Sequence, residues 1–233
     1  MRLAASEYTR FTDQLRELSD ADWSAPTCCS DWDVRLMTCH VLGMAEFAAS
    51  SREKLRQMLA AKRAGGLFID ALTAGQVAKH ADRRPAELVA AMERVGPRAA
   101  AGRRRLPALV RRGRIADQPV AADGSVTERW TLGYLNDVIL TRDTWMHRSD
   151  VAAAVGRPLT LTPEHDGVLI AHIAEEWAQR HGQPCTLVLD GPAGGAWTWG
   201  SGAATYTLDA VEFARIISGR GTGAGLLTVK VPF

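Results

Sequence analysis

Residues 131–155 read TLGYLNDVILTRDTWMHRSDVAAAV. There is no proline in the stretch and no glycine after Gly133, so it predicts one long helix from Thr131 to about Val155. Leu132, Leu135, Ile139, Trp145 and Met146 make it largely apolar. Asp143 and His147 are four positions apart, which puts them about 40° apart in projection and on one face. Asn136 and Asp150 fall seven before and seven after Asp143 and extend the same polar stripe. The stripe has two readings. Asp143 and His147 form a surface ion pair, or they face the interior of a helical bundle, where carboxylates and histidines at this spacing hold metal ions.

The surroundings are those of a folded protein. The chain has 233 residues, 46% hydrophobic and 23% charged, with a formal net charge of +2. That is enough apolar material for one large domain or two small ones. The charge gives no general attraction to nucleic acid or membrane. The arginines between Arg94 and Arg114 carry no interleaved aromatic residues and read as a solvated loop or helix face rather than a nucleic-acid surface. Cys28, Cys29, Cys39 and Cys185 match neither a zinc framework nor a disulfide framework and read as free thiols. No leader-like segment or bilayer-length apolar run is present, so the expectation is a soluble, cytoplasmic protein.

Along the chain, residues 2–18 have helical spacing, and a second long helix runs through Val34, Met37, Val41, Met44 and Phe47 to AKRAGG (61–66). Ser30 or Asp31 is its expected N-cap, with Asp33 in the first turn. Residues 68–84 and 85–106 give further helical segments, the latter started by Pro85. Residues 102–130 read as irregular, and GRPLTLTP (156–163) as a linker. After Pro163 the pattern changes. An amphipathic helix is followed by PCTLVLDG and AWTWGSG, which alternate like paired strands about a PAGG turn. LDAVEFARIISGR then reads as a helix and LLTVKVPF as a closing strand. The expected fold is α+β and multidomain, with a helical bundle over 1–155 and a small α+β domain over 156–233.

A third candidate ligand, His40, sits inside the Val34–Met37–Val41–Met44 apolar pattern. There it is either a core histidine bonded to a carbonyl or a partner for Asp143 and His147. His80 reads as solvated and His172 as structural or exposed. Arg142 and Arg148 read as surface or interface residues, Trp32 and Trp145 as core. Asp150 and Asn136 could orient His147 or a bound ligand, and for Asp150 ordinary polar packing or exposure is the preferred reading. Cys29, just before a helix start, reads as a packed thiol.

The stretch DWSAPTCCSDWDVRLMTCHVLG (22–43) resembles the N-terminal signature of the mycothiol-dependent maleylpyruvate isomerase family, a branch of the DinB-like four-helix bundles. The matching residues are Trp23, Pro26, Thr27, Cys29, Trp32, Val34, Arg35, His40, Leu42 and Gly43. RDTWMHRSDVAAAVGRP (142–158) resembles the family's second block, and IDALTAGQV (69–77) and EFARIISGR (212–220) resemble further family segments. The resemblance implies a divalent metal, zinc, on His40, Asp143 and His147, and a small sterol-carrier-like C-terminal domain. The characterised isomerases carry Glu where this chain has Asp143, one methylene shorter but still a hard oxygen ligand. It also implies mycothiol as cosubstrate and Arg220 as a functional cation of the C-terminal domain. Taken on the residues, Arg220 serves equally as a helix C-terminal cation.

Two imidazoles and one carboxylate leave zinc an open position, the pattern of a catalytic site. Nickel, iron or manganese would also accept these ligands. A thiol held there as thiolate would add to a small-molecule electrophile, giving thiol transfer or cis–trans isomerisation of a maleylpyruvate-like substrate. The rival readings are a zinc hydrolase that needs no thiol and a non-catalytic small-molecule or lipid-binding module. Neither nucleic acid nor a membrane is an expected partner.

Overall fold

The computed structural model describes residues 2–115, 118–119, 127–201 and 204–233. They fall into two compact units, Met1–Ala116 with Arg129–Leu159, and Asp117–Glu128 with Thr160–Phe233. The fold is α+β and multidomain, with a helical first unit and a second unit built on a small sheet. No helix among the described residues is long and apolar enough to cross a membrane.

The first unit contains α1 (Arg2–Arg16), α2 (Val34–Ala49), α3 (Ser51–Ala64), α4 (Phe68–His80), α5 (Pro85–Arg104), the short α6 (Ala108–Arg111), α7 (Leu132–Tyr134) and α8 (Leu140–Ala154). A π-helical turn, Leu135–Ile139, joins α7 to α8. The expected second helix is in fact two. Ser50 is extended, caps α3 by accepting from the Glu53 N–H, and breaks the run. Asp33, not Ser30 or Asp31, caps α2, accepting from the Leu36 N–H at 2.7 Å. Phe11, Leu15, Met37, Leu42, Leu88, Met92, Leu140 and Val151 form one core drawn from α1, α2, α5 and α8. Each such side chain, fully buried, stabilises the fold by about 1.5–3 kcal/mol relative to exposure.

Two glycines set how closely α2 is approached. A methyl group on Gly102 of α5 would lie 2.3 Å from the Ala48 carbonyl oxygen. One on Gly43 of α2 would lie 2.5 Å from Cβ of Gln76 on α4. α1 and α8 are held by a buried ion pair, Arg148 Nε to Glu7 Oε1 at 2.8 Å, and by Gln14 donating to the Arg148 carbonyl. Removing one partner of such a pair costs about 3–5 kcal/mol, because the other is left buried and uncompensated.

Several residues read as surface are therefore interior. Arg142 and Arg148 are buried, because α8 is enclosed on nearly all sides. His80 is also buried, with Nε2 3.1 Å from Glu46 Oε2. The arginine-rich stretch contributes Arg103 to the interior, where it donates to the Asn136 carbonyl at 2.7 Å and the Thr141 hydroxyl at 2.6 Å. The irregular reading of 102–130 holds α6; residues 116–117 and 120–126 lie outside those described.

In the second unit β1 (Gln118–Pro119) pairs antiparallel with β2 (Thr127–Glu128). A π-helical turn, Pro163–Gly167, leads into α9 (Val168–His181). Then come β3 (Cys185–Asp190), β4 (Gly195–Trp199), β5 (Thr205–Asp209) and α10 (Ala210–Ile217). The sheet order is β4-β3-β5, with β3 antiparallel to β4, as the alternation predicts, and parallel to β5. Sequence reading missed β5, because it runs without a break into α10. Asp209 ends the strand and caps the helix, accepting from the N–H groups of Val211 and Glu212. The closing segment is not a strand. It forms a 3₁₀ turn, Gly225–Thr228, and then closes off α10, Val231 N–H donating to the Ile217 carbonyl and Lys230 Nζ to that of Ile216. Trp177 of α9 centres this unit's core, edge-on to Phe213 and Tyr206 and donating to the Leu226 carbonyl.

The tight crossing of α2 and α5 has a measurable consequence. Gly102→Ala should destabilise the helical unit by about 1–3 kcal/mol through overpacking against backbone. Gly75→Ala, on an exposed position of α4 with open space around it, should stabilise it by about 0.5–1 kcal/mol. Urea denaturation followed by circular dichroism checks both signs.

Candidate metal centre

α2 supplies His40, and α8 supplies Asp143 and His147 from one face. The structure brings all three together. His40 Nε2 lies 3.6 Å and His147 Nε2 3.4 Å from the same oxygen, Oδ1 of Asp143. The ring centroids are 5.2 Å apart and nearly perpendicular. Both imidazoles are buried, and only 18% of the Asp143 side chain is exposed. Its second oxygen, Oδ2, is buried with no hydrogen-bond partner.

The far side of each ring is fixed. His147 Nδ1 faces Asp150 Oδ2 at 3.2 Å, and His40 Nδ1 faces Gln76 Oε1 at 2.9 Å. With both Nδ1 atoms donating to these acceptors, the neutral rings turn bare Nε2 lone pairs toward a carboxylate. Three acceptors with no donor among them repel one another unless a cation lies between them. The ligand atoms are all within 4.8 Å of one another. The orphaned Oδ2, the two oriented lone pairs and the hard oxygen donor fit a divalent metal of the zinc type.

The electrostatics carry the same message in the metal-free protein. Burial acts to lower the His147 pKa. The charge and hydrogen bond of Asp143, with help from Asp150, overcome it and push the ring up to about 9. Burial would raise the Asp143 carboxyl, but His147 and then His40 outweigh it and hold the group far below the usual carboxylate range. These are two views of one ion pair. A proton on His147 is the cation that the site holds when no other is bound.

Sequence reading missed two contributors and gave the role of a third, Asp150, only as its less favoured reading. Gln76 lies on a different helix from His40, and only the Gly43 approach brings them together. Asp150, read as ordinary polar packing or exposed, is buried beneath His147 and also accepts from the Cys28 thiol at 3.1 Å. Trp32, read as core, lies against both imidazoles, its ring centroid 5.2 Å from His40 and 6.3 Å from His147. Thr27 holds it there, its N–H and hydroxyl both donating to the Trp32 carbonyl.

Asn136 is not part of the centre. The π turn spanning it adds to the helical repeat, so the seven-residue offset from Asp143 does not keep one face. Its amide donates to the Arg103 carbonyl and to Asp137. The four cysteines carry no disulfide; Cys28 is exposed, Cys29 half-buried and Cys39 buried. Arg220 belongs to the second unit, half-buried just past α10, where its N–H donates to the Arg215 carbonyl. His172 is exposed and Trp145 is in the interior.

A family model described as the mycothiol maleylpyruvate isomerase N-terminal domain matches residues 4–152. Among solved structures the chain is similar to "the mycothiol-dependent maleylpyruvate isomerase", with a TM-score of 0.55 and 17% identity, over 95% of this chain and 88% of that one. A mutant of that isomerase with histidine changed to alanine gives the same TM-score and coverage at 16% identity. At these identities the likeness to solved structures carries the fold. No curated protein matches the chain in sequence.

The ion pair predicts a pH dependence for the metal-free protein. His147 has a folded pKa near 9 against an ordinary 6.5, so its stabilisation is complete below pH 6.5 and is lost as pH rises through 9. The depressed Asp143 contributes above its ordinary carboxylate value of 3.8 and loses that contribution only in strong acid. Denaturation of chelator-treated protein across pH 5–10 should show the alkaline decline (about that range), and His147→Gln should abolish it.

Proposed function

This chain belongs to the mycothiol maleylpyruvate isomerase N-terminal domain family, and from that membership we propose a metal-dependent enzyme that uses a low-molecular-weight thiol, mycothiol, on a small electrophile. The observation that carries the reading is the convergence of His40 and His147 on one oxygen of the Asp143 carboxylate, whose other oxygen is buried and has no hydrogen-bond partner. These three residues would hold zinc, although nickel, iron or manganese would also suit the donors. When bound, the metal lowers the pKa of a thiol and keeps it as thiolate.

The chain's own residues prepare that chemistry. Asp150 and Gln76 each hold the far nitrogen of one imidazole, leaving both near nitrogens bare. Trp32 covers the two rings. The cosubstrate thiolate adds to an activated carbon–carbon double bond. The resulting single bond rotates, and loss of the thiolate leaves the trans isomer and free thiol. Attack by the same thiolate on a saturated carbon, breaking its bond to a halide that leaves as the anion or opening an epoxide to an alkoxide that takes up a proton, would end in a thioether instead, which is thiol transfer. Arg220 is proposed as the cation for a substrate carboxylate, a role for which guanidinium is suited by its paired donors.

Two measurements test the proposal. Purified protein should contain one divalent metal per chain, and His40→Ala should lose most of it; equal metal in both would remove His40 from the site. Turnover of a maleylpyruvate-like cis-dicarboxylate should require added thiol. Metal-dependent turnover without thiol would point to a hydrolase, and no metal and no turnover to a binding module. Arg220→Ala should lower kcat/KM for an acidic substrate by about tenfold or more, the scale of one lost charge-assisted contact, with metal content unchanged.

A further inference from the structure

We propose that Gln57 of α3, two links removed from the ligand set, is the positioning residue that decides which nitrogen of His40 carries its hydrogen. Gln57 Nε2 lies 3.0 Å from the Gly43 carbonyl oxygen and 3.1 Å from Glu53 Oε1. Both of these groups only accept, so the amide of Gln57 has one orientation, with its NH₂ toward them and its oxygen toward Gln76. Gln76 Nε2 donates to that oxygen at 2.9 Å and also approaches Met44 Sδ at 2.8 Å. Gln76 therefore turns its own oxygen to His40 Nδ1. The hydrogen of neutral His40 is then on Nδ1, and Nε2 presents a lone pair toward Asp143.

The relay opposes a local preference. Asp143 Oδ1 is 3.6 Å from His40 Nε2, and in the absence of a metal a carboxylate there favours the tautomer with its hydrogen on Nε2. That tautomer has no lone pair on the nitrogen that faces Asp143. Gln76 and Gln57 are both buried, so their amides find no solvent alternative. The outer end of the relay is secure as well. Hydrogen bonds from Arg56, then Lys79 and Gln57, prevail over burial and hold the Glu53 carboxyl well below the usual range. It remains an acceptor throughout ordinary pH. The consequence for metal binding rests on the ligand set proposed above; the tautomer itself does not.

The test uses the full chain with ¹⁵N-labelled histidine. In chelator-treated protein, at a pH where His40 is neutral, the His40 spectrum should show the Nδ1–H form. Gln57→Met should shift it toward Nε2–H and weaken zinc binding, measured by chelator competition, by about tenfold. Because Gln57 acts through Gln76, the same change in a Gln76→Met background should cause no further loss. The paired change Gln57→Glu with Glu53→Gln moves the carboxylate one link inward and still offers Gln76 an acceptor, so it should keep the Nδ1–H form. A wild-type tautomer and affinity in Gln57→Met, or additive losses in the double variant, would overturn the inference. If the wild type binds no zinc, the ligand set is wrong, and the tautomer spectra still decide the role of Gln57.

Discussion

The structure depends on a repulsion that must be relieved. Two bare imidazole nitrogens and a carboxylate oxygen are held a few ångströms apart inside a helical unit, where little water is present to screen them. Without a cation this arrangement is unfavourable, and the metal-free protein resolves it with a proton on His147. The rest of the helical unit keeps the three groups from moving apart. α1 is tied to α8 by Glu7 and Arg148, and α5 is seated on α2 at Gly102. A more relaxed protein could turn Asp143 to solvent. Here Asp143 is held in place, and the proposed affinity for a cation rests on that restraint.

Orientation adds a second layer. An imidazole is a metal ligand only through a nitrogen that lacks hydrogen, so the far nitrogen must have a partner that accepts. His147 obtains this from Asp150, one turn along its own helix. His40 has no such neighbour on α2, and the need is met from α4 by Gln76. That in turn requires the two helix backbones to pass so closely that residue 43 must lack a side chain. Gly43 therefore bears on the chemistry as well as the packing, three residues from the histidine it serves.

What could be read from the chain was what lies along one helix or within one motif. The spacing of Asp143 and His147 placed them on one face, and the resemblance of two distant blocks joined them to His40. The strand pair β3–β4 followed from alternation. What could not be read lies between helices. Nothing in the pattern of 69–77 says that Gln76 turns toward His40, and nothing near Trp32 says that its ring lies against two imidazoles. The arginines were misread because charge suggests exposure, whereas Arg103, Arg142 and Arg148 are buried. The π turn defeated a phase argument that assumed a uniform repeat, so Asn136 was assigned to the wrong face.

The clamp between Glu7 and Arg148 joins residues 141 positions apart. Contacts of such long range close slowly and late, because the loop they close must first be gathered in. On the ribosome the first five helices emerge well before α8. Until then their shared apolar faces lack α8, and His40 has neither Asp143 nor His147 beside it. The proposed ligand set is therefore incomplete for most of the chain's synthesis.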